Sequence, residues 1–225
     1  MVTDSTSSQG AAEVSALVVY DQPALRESYV AAIRALTGLR VRAAASADEA
    51  LVVMAERPAS VALLDARLPR RTGDQPSYTE GGDLLRDLRQ RWPRVPILVT
   101  SVVWTPYLLW SSVRSGAAGV LRDDADFPEL AAAIAAALKT NRFRARDDEQ
   151  KLAMMAEVNP TEQDRRILLM KREGMSHQDI AEVLGISRST IRTHFQKLAY
   201  RLGVEGENEG AIVYRASELG LLQFP

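Results

Sequence analysis

Between residues 16 and 138, short unbroken apolar runs alternate with longer stretches in which apolar residues recur every three or four positions. The runs Ala16 to Tyr20, Val41 to Ala44, Val61 to Asp65, Ile97 to Thr100 and Gly119 to Leu121 predict strands buried on both faces. The stretches Leu25 to Leu36, Asp48 to Glu56, Gly82 to Arg91, Pro106 to Ser115 and Pro128 to Leu138 predict the helices between them. Strands alternating singly with helices predict an α/β doubly wound fold, a parallel five-stranded sheet covered on both sides. Function in such sheets gathers at the carboxyl ends of the strands, which here hold Asp21, Asp65, Thr100 and Asp123.

The pattern then changes. From Gly174 to Gly203 the spacing is helical throughout, interrupted at Gly185. Ser176 predicts a cap for a short helix in which Asp179 sits in the first turn, favoured there by the helix dipole, and Ile180, Ala181 and Leu184 face inward. Gly185 predicts a left-handed turn, and Ser187 caps a second helix. Ile191, Phe195, Leu198 and Leu202 fall on one stripe of that helix, so Arg192, Thr193, Gln196, Lys197 and Tyr200 face away. Taken alone, such a face is an ordinary solvated one. After a capped helix and a tight turn it reads as a helix-turn-helix, in which Arg forks onto guanine, Gln onto adenine and Lys onto phosphate.

Composition removes several chemistries. The chain has no cysteine, so disulfides, thiolate metal sites and cysteine nucleophiles are excluded, and its two histidines, His177 and His194, lack matching acidic ligands. No catalytic residues and no metal site are expected. The polar start is unlike a secretion signal and no stretch is long enough to span a membrane, which predicts a soluble, cytoplasmic protein with no membrane partner. Residues 158–225 carry nine basic and nine acidic side chains, so attraction to DNA must come from local placement of Arg188, Arg192, Lys197 and Arg201. One copy should bind double-stranded DNA weakly, which predicts a homodimer on a paired site.

The residues Asn159-Pro160-Thr161-Glu162, Gly174, Ser176, Asp179-Ile180-Ala181, Leu184, Ile186-Ser187, Thr190-Ile191-Arg192, His194, Leu198, Leu202-Gly203-Val204 and Gly220-Leu221-Leu222 resemble the LuxR-type DNA-binding domain, an all-α four-helix unit. The resemblance implies base contacts for Arg192, Thr193 and Gln196, and it extends the DNA-binding set to Arg188, Thr190, Lys197 and Arg201. One departure is the acidic run Glu205-Gly206-Glu207-Asn208-Glu209, which should weaken phosphate contact at that edge.

The first part resembles the receiver domain of bacterial response regulators, in the NarL/FixJ class that joins a receiver to a LuxR-type domain. Leu17-Val18-Val19-Tyr20-Asp21, Leu63-Leu64-Asp65-Ala66-Arg67-Leu68-Pro69, Val99-Thr100-Ser101 and Gly116 to Leu121 carry it. The resemblance implies Asp65 as the phosphoacceptor position, Thr100 as the hydroxyl position and a magnesium ion on an acidic pair. The pair is here Tyr20-Asp21, and Asp123 stands where the family has lysine. A lost carboxylate weakens a magnesium site that demands several oxygen ligands, and an anion at 123 repels phosphoryl oxygens. Conventional phosphorylation is therefore expected to fail, and no cofactor is expected. Three readings stay open: Asp65 is a vestige, the altered pocket takes a small-molecule ligand, or it locks one receiver shape.

The segment RRTGDQPSYTEG, at residues 70–81, makes its loop roughly nine residues longer than the family pattern and predicts a surface loop. Trp104, Tyr107, Leu108 and Trp110 crowd one short helix, which predicts an exposed aromatic at an interface. Residues 1–13 read as a disordered leader, 14–140 as the receiver-like domain, 141–157 as an exposed, partly helical linker and 158–225 as the helix-turn-helix domain, opened by an Asn159 cap. The chain as a whole reads as a sequence-specific transcription regulator and not an enzyme. The alternative is a heterodimer partner of a related regulator with weak DNA binding of its own.

Overall fold

The computed structural model describes residues 14–223; the leader expected at 1–13 lies outside them. Five strands, β1 (Ser15–Val19), β2 (Arg40–Ala44), β3 (Val61–Asp65), β4 (Ile97–Ser101) and β5 (Gly119–Arg122), form one parallel sheet in the order β2-β1-β3-β4-β5. The intervening helices are α1 (Pro23–Thr37), α2 (Ala47–Glu56), α3 (Tyr78–Arg91) and α4 (Pro106–Arg114), with α5 (Phe127–Thr140) closing the layer. Alternation along the strands sorts the core into two sides. Leu17, Val19, Leu64 and Val99 pack with α2, α3 and α4, whereas Val18, Tyr20, Leu63 and Leu98 pack with α1 and α5. The order reverses between β1 and β3, so Tyr20 and Asp65 end neighbouring strands at the switch point.

Helix α3 starts earlier than the apolar pattern suggests, because Ser77 caps it by accepting from the Glu80 amide. Its Gly81 is required by packing: a Cβ there would lie 2.1 Å from the Ala66 carbonyl oxygen. The 70–81 loop is pinned at both ends. Leu68 and Ser77 exchange backbone hydrogen bonds, and Arg70 pairs with Asp48 at 2.6 Å.

The remaining helices are α6 (Asp148–Val158), α7 (Glu162–Arg172), α8 (His177–Leu184), α9 (Arg188–Arg201) and α10 (Glu209–Glu218). The segment expected as an exposed linker is largely α6, whose Met155 and Val158 are buried in the C-terminal core. The expected Asn159 cap is also corrected. Asn159 ends α6 in the left-handed region, and Thr161 caps α7 in a reciprocal box with Asp164.

The aromatic cluster of α4 is not exposed. Trp110 is buried among side chains of the C-terminal core, and Tyr107 touches both cores. The Tyr107 amide donates to the Leu219 carbonyl at 3.0 Å, and Arg114 donates to Asn159 Oδ1 at 2.8 Å while lying over the Trp110 ring. Gly220 fits against Thr105 so closely that a Cβ would approach its Oγ1 to 2.3 Å. The interface predicted from these aromatics is thus internal to the chain. Among the described residues no helix is long and apolar enough to cross a membrane.

Candidate functional site

At the carboxyl edge of the sheet the expected pocket residues assemble around a phenol. Asp65 and Thr100 are register partners on β3 and β4, and Tyr20 follows β1. Tyr20 is 1% exposed, and its hydroxyl meets the equally buried Thr100 hydroxyl in a short hydrogen bond. Thr100 commits its own proton to the Leu64 carbonyl at 3.1 Å, so the phenol proton of Tyr20 serves Thr100 Oγ1 or Asp123 Oδ1, the latter 3.1 Å away.

A residue that sequence reasoning missed completes the cluster. Tyr29 of α1 stacks on Tyr20 with ring centres 4.7 Å apart and donates to Asp123 Oδ1 at 2.8 Å. Burial, then the proximity of the other ring, holds the Tyr20 hydroxyl far above the usual phenol range; burial likewise raises Tyr29. Both remain neutral donors. Their helical and strand positions give no local sign of pairing, because the stack exists only once α1 lies across the sheet.

Asp65 takes the Arg67 amide on Oδ1 at 2.9 Å. Burial pushes its carboxyl up to about 7, against that hydrogen bond and with help from the nearby charges of Asp123 and Asp21. The carboxyl edge is therefore acidic; the nearby charge of Arg67 opposes the rise only weakly, and its Nε is turned to the Pro76 carbonyl at 3.1 Å. Arg122 ends β5 exposed and forks onto Asp124 at 2.9 and 3.0 Å, so it does not replace the family lysine. Arg26 is turned to the Tyr20 and Asp21 carbonyls at 2.7 and 3.1 Å.

These residues fit a magnesium ion poorly. The Tyr20 hydroxyl stands in place of a carboxylate and is engaged with Thr100 and Asp123. Among the described residues no group of three or more His, Asp or Glu side chains is arranged to hold a metal.

The second expected site is the outer face of α9. Helix α8 carries a full capping box between Ser176 and Asp179 and ends at Gly185 with φ 66°; Ser187 then caps α9. Ile191, Phe195, Leu198 and Leu202 are all buried, which turns Arg188, Thr190, Arg192, Thr193, Gln196 and Lys197 outward, all exposed. Thr190 is held by the Ser187 hydroxyl at 2.8 Å and Thr193 by the Ser189 carbonyl at 3.0 Å, so both hydroxyls are engaged within the helix start.

Arg201 departs from this set. It donates to the Val158 and Asn159 carbonyls and to Asp164 Oδ2 at 2.8 Å, tying α9 to the start of α7. Its guanidinium is used within the domain. The acidic run is also partly neutralised, since Glu209 pairs with Lys171 at 2.6 Å.

Comparison with known proteins addresses both halves. A model described as the response regulator receiver domain matches residues 16–135, and one described as sigma-70, region 4 matches residues 161–201. The chain is 25% identical over 207 residues to the transcriptional regulatory protein YxjL of Bacillus subtilis, covering 85% of this chain and 90% of that one. It is 28% identical over 184 residues to the DNA-binding transcriptional activator DevR/DosR of Mycobacterium tuberculosis, covering 75% and 78%. Among solved structures, RcsB from Salmonella enterica serovar Typhimurium bound to a promoter aligns with TM-score 0.65 at 18% identity, covering 92% of this chain and 98% of that one.

Proposed function

The chain belongs to the response regulator receiver family, with a LuxR-type helix-turn-helix domain after the receiver, and from that premise we propose that it regulates transcription without standard aspartate phosphorylation. One observation carries the proposal: the Tyr20 hydroxyl fills the place of a magnesium-binding carboxylate and is committed to Thr100 and Asp123. A phosphoryl group on Asp65 would have to form beside Asp123 with neither a magnesium ion held by an acidic pair nor a lysine to offset its charge. Control then falls to dimerisation, a ligand or a partner.

Arg192, Thr193 and Gln196 read bases, while Arg188 and Lys197 hold phosphates, and Thr190 supports the start of the helix. Two copies bind a paired DNA site in the cytoplasm. Residues 14–140 serve as the receiver and 158–225 as the DNA-binding domain, joined by the packed α6 segment. The neutral charge of residues 158–225, together with the internal use of Arg201, favours a second reading, a heterodimer with a related regulator that supplies most of the affinity.

Selection of genomic fragments by the purified, untreated protein at near-physiological salt tests the proposal. Recovery of a short paired motif is the expected outcome. Failure to enrich any motif, followed by enrichment once a related regulator is added, would transfer the case to the heterodimer.

A further inference from the structure

On the opposite side of the sheet from Tyr20, a cavity of about 470 Å³ lies between α3, α4 and α7. Leu64, Leu85, Val99 and Leu108 supply apolar wall and Ser111 a hydroxyl; Arg165 and Glu162 stand together at the α7 end, and Asp65 at the receiver end. Its size falls in the ~300–1,000 Å³ range of small-molecule sites, and its apolar wall between α3 and α4 gives way to polar and charged groups toward α7. The cavity spans both halves of the chain, since Leu64 and Leu85 belong to the receiver and Arg165 to the first turns of α7.

Arg165 is unusual for a charged residue. It is 5% exposed, and its position is fixed: Nε donates to the Leu221 carbonyl at 3.1 Å, Nη1 to Glu162 at 2.9 Å, and the guanidinium lies against the Tyr107 ring. Nη2 is buried without a hydrogen-bond partner. A buried guanidinium nitrogen without an acceptor is costly, and the cost is relieved by an anionic oxygen brought to it. Its counter-charge Glu162 is largely exposed and therefore compensates weakly. The planar fork of arginine matches a carboxylate in particular.

We propose that this cavity binds a small organic carboxylate, its charged end at Arg165 and its apolar or aromatic body between α3 and α4. Such a ligand touches both halves at once, so its occupancy changes how firmly the DNA-binding domain is held to α4. That regulatory consequence rests on the function proposed above; the binding itself does not.

The test uses the full chain without DNA, titrated by calorimetry with octanoate and phenylacetate, and with phenylacetamide and phenethylamine as neutral and cationic counterparts. At least one carboxylate is expected to bind saturably at one per chain, and the amide and amine are not. Arg165→Met should weaken binding by about tenfold or more. Because that variant also loses the Leu221 contact, Gly82→Leu provides a second arm with Arg165 intact. A Cβ at Gly82 meets nothing within 4 Å, so the new side chain enters open space, and leucine favours the helix. Loss of carboxylate binding in Gly82→Leu with undiminished thermal stability supports the site. Absence of saturable binding by both carboxylates at millimolar concentration, equal binding by Gly82→Leu, or an amide that binds as tightly as its carboxylate overturns it. None of these results alters the DNA selection outcome, so the two proposals fail separately.

Discussion

The Tyr20 hydroxyl and the Thr100 hydroxyl meet in a short hydrogen bond at the carboxyl edge of the sheet, both residues about 1% exposed. The contact couples the end of β1 to the end of β4 across β3. Tyr20→Phe keeps the ring and its stack on Tyr29 but removes the proton shared by Thr100 and Asp123. Stability should fall by about 1–3 kcal/mol in urea denaturation, with the slope unchanged.

Asp65 makes stability depend on pH. Its folded carboxyl holds a proton up to about 7, whereas the unfolded one releases it near 3.8. The folded state therefore binds the extra proton between those values, so stability falls as pH rises through that window and the penalty is fully present above it. Asp65→Asn should flatten this dependence and raise stability at pH 8 by about 1–3 kcal/mol, with little change at pH 4. Denaturation curves at the two pH values check this.

Arg192→Ala should cost about 1–3 kcal/mol of DNA binding and relax preference at one position of the site, whereas Lys197→Ala should weaken all sequences alike. Equal, sequence-independent losses from both would remove the base-reading role of Arg192. Arg201→Ala should instead lower the stability of the domain, because it leaves Asp164 without its guanidinium partner.

Trp110→Ala should open a cavity at the junction of the two halves and cost about 3–5 kcal/mol. Calorimetry should then resolve two unfolding transitions where the parent has one. Gly220→Ala should loosen the same junction by another route, since its φ of 85° and the close Thr105 side chain both oppose a Cβ. Faster proteolysis between α5 and α6 in both variants is the expected result.

The strand pattern and the helix-turn-helix were legible because each rests on local periodicity and on caps a few residues away. Val61 to Asp65 forms the strand its apolar run predicts, and Ser176, Gly185 and Ser187 take the capping roles their types suggest. The substitution of Tyr20 for a carboxylate was visible too. What it bonds to was not, because Tyr29 and Asp123 reach it only through tertiary packing. The cover on the α4 aromatics was hidden for the same reason: α6 and the Gly220 turn are remote in sequence. Arg201 shows the limit of composition, since an arginine on a recognition helix looks alike whether it meets phosphate or its own domain.

Trp110 belongs to α4 of the receiver yet completes the core of the other half. The two halves are consequently poor cassettes. A chimera that grafts this DNA-binding half onto a foreign receiver inherits a hydrophobic socket with nothing to fill it, and the receiver expressed alone carries a bare indole on its surface. Recombination can separate such halves only where the new neighbour brings an aromatic of its own, so this pair is expected to be inherited as a unit.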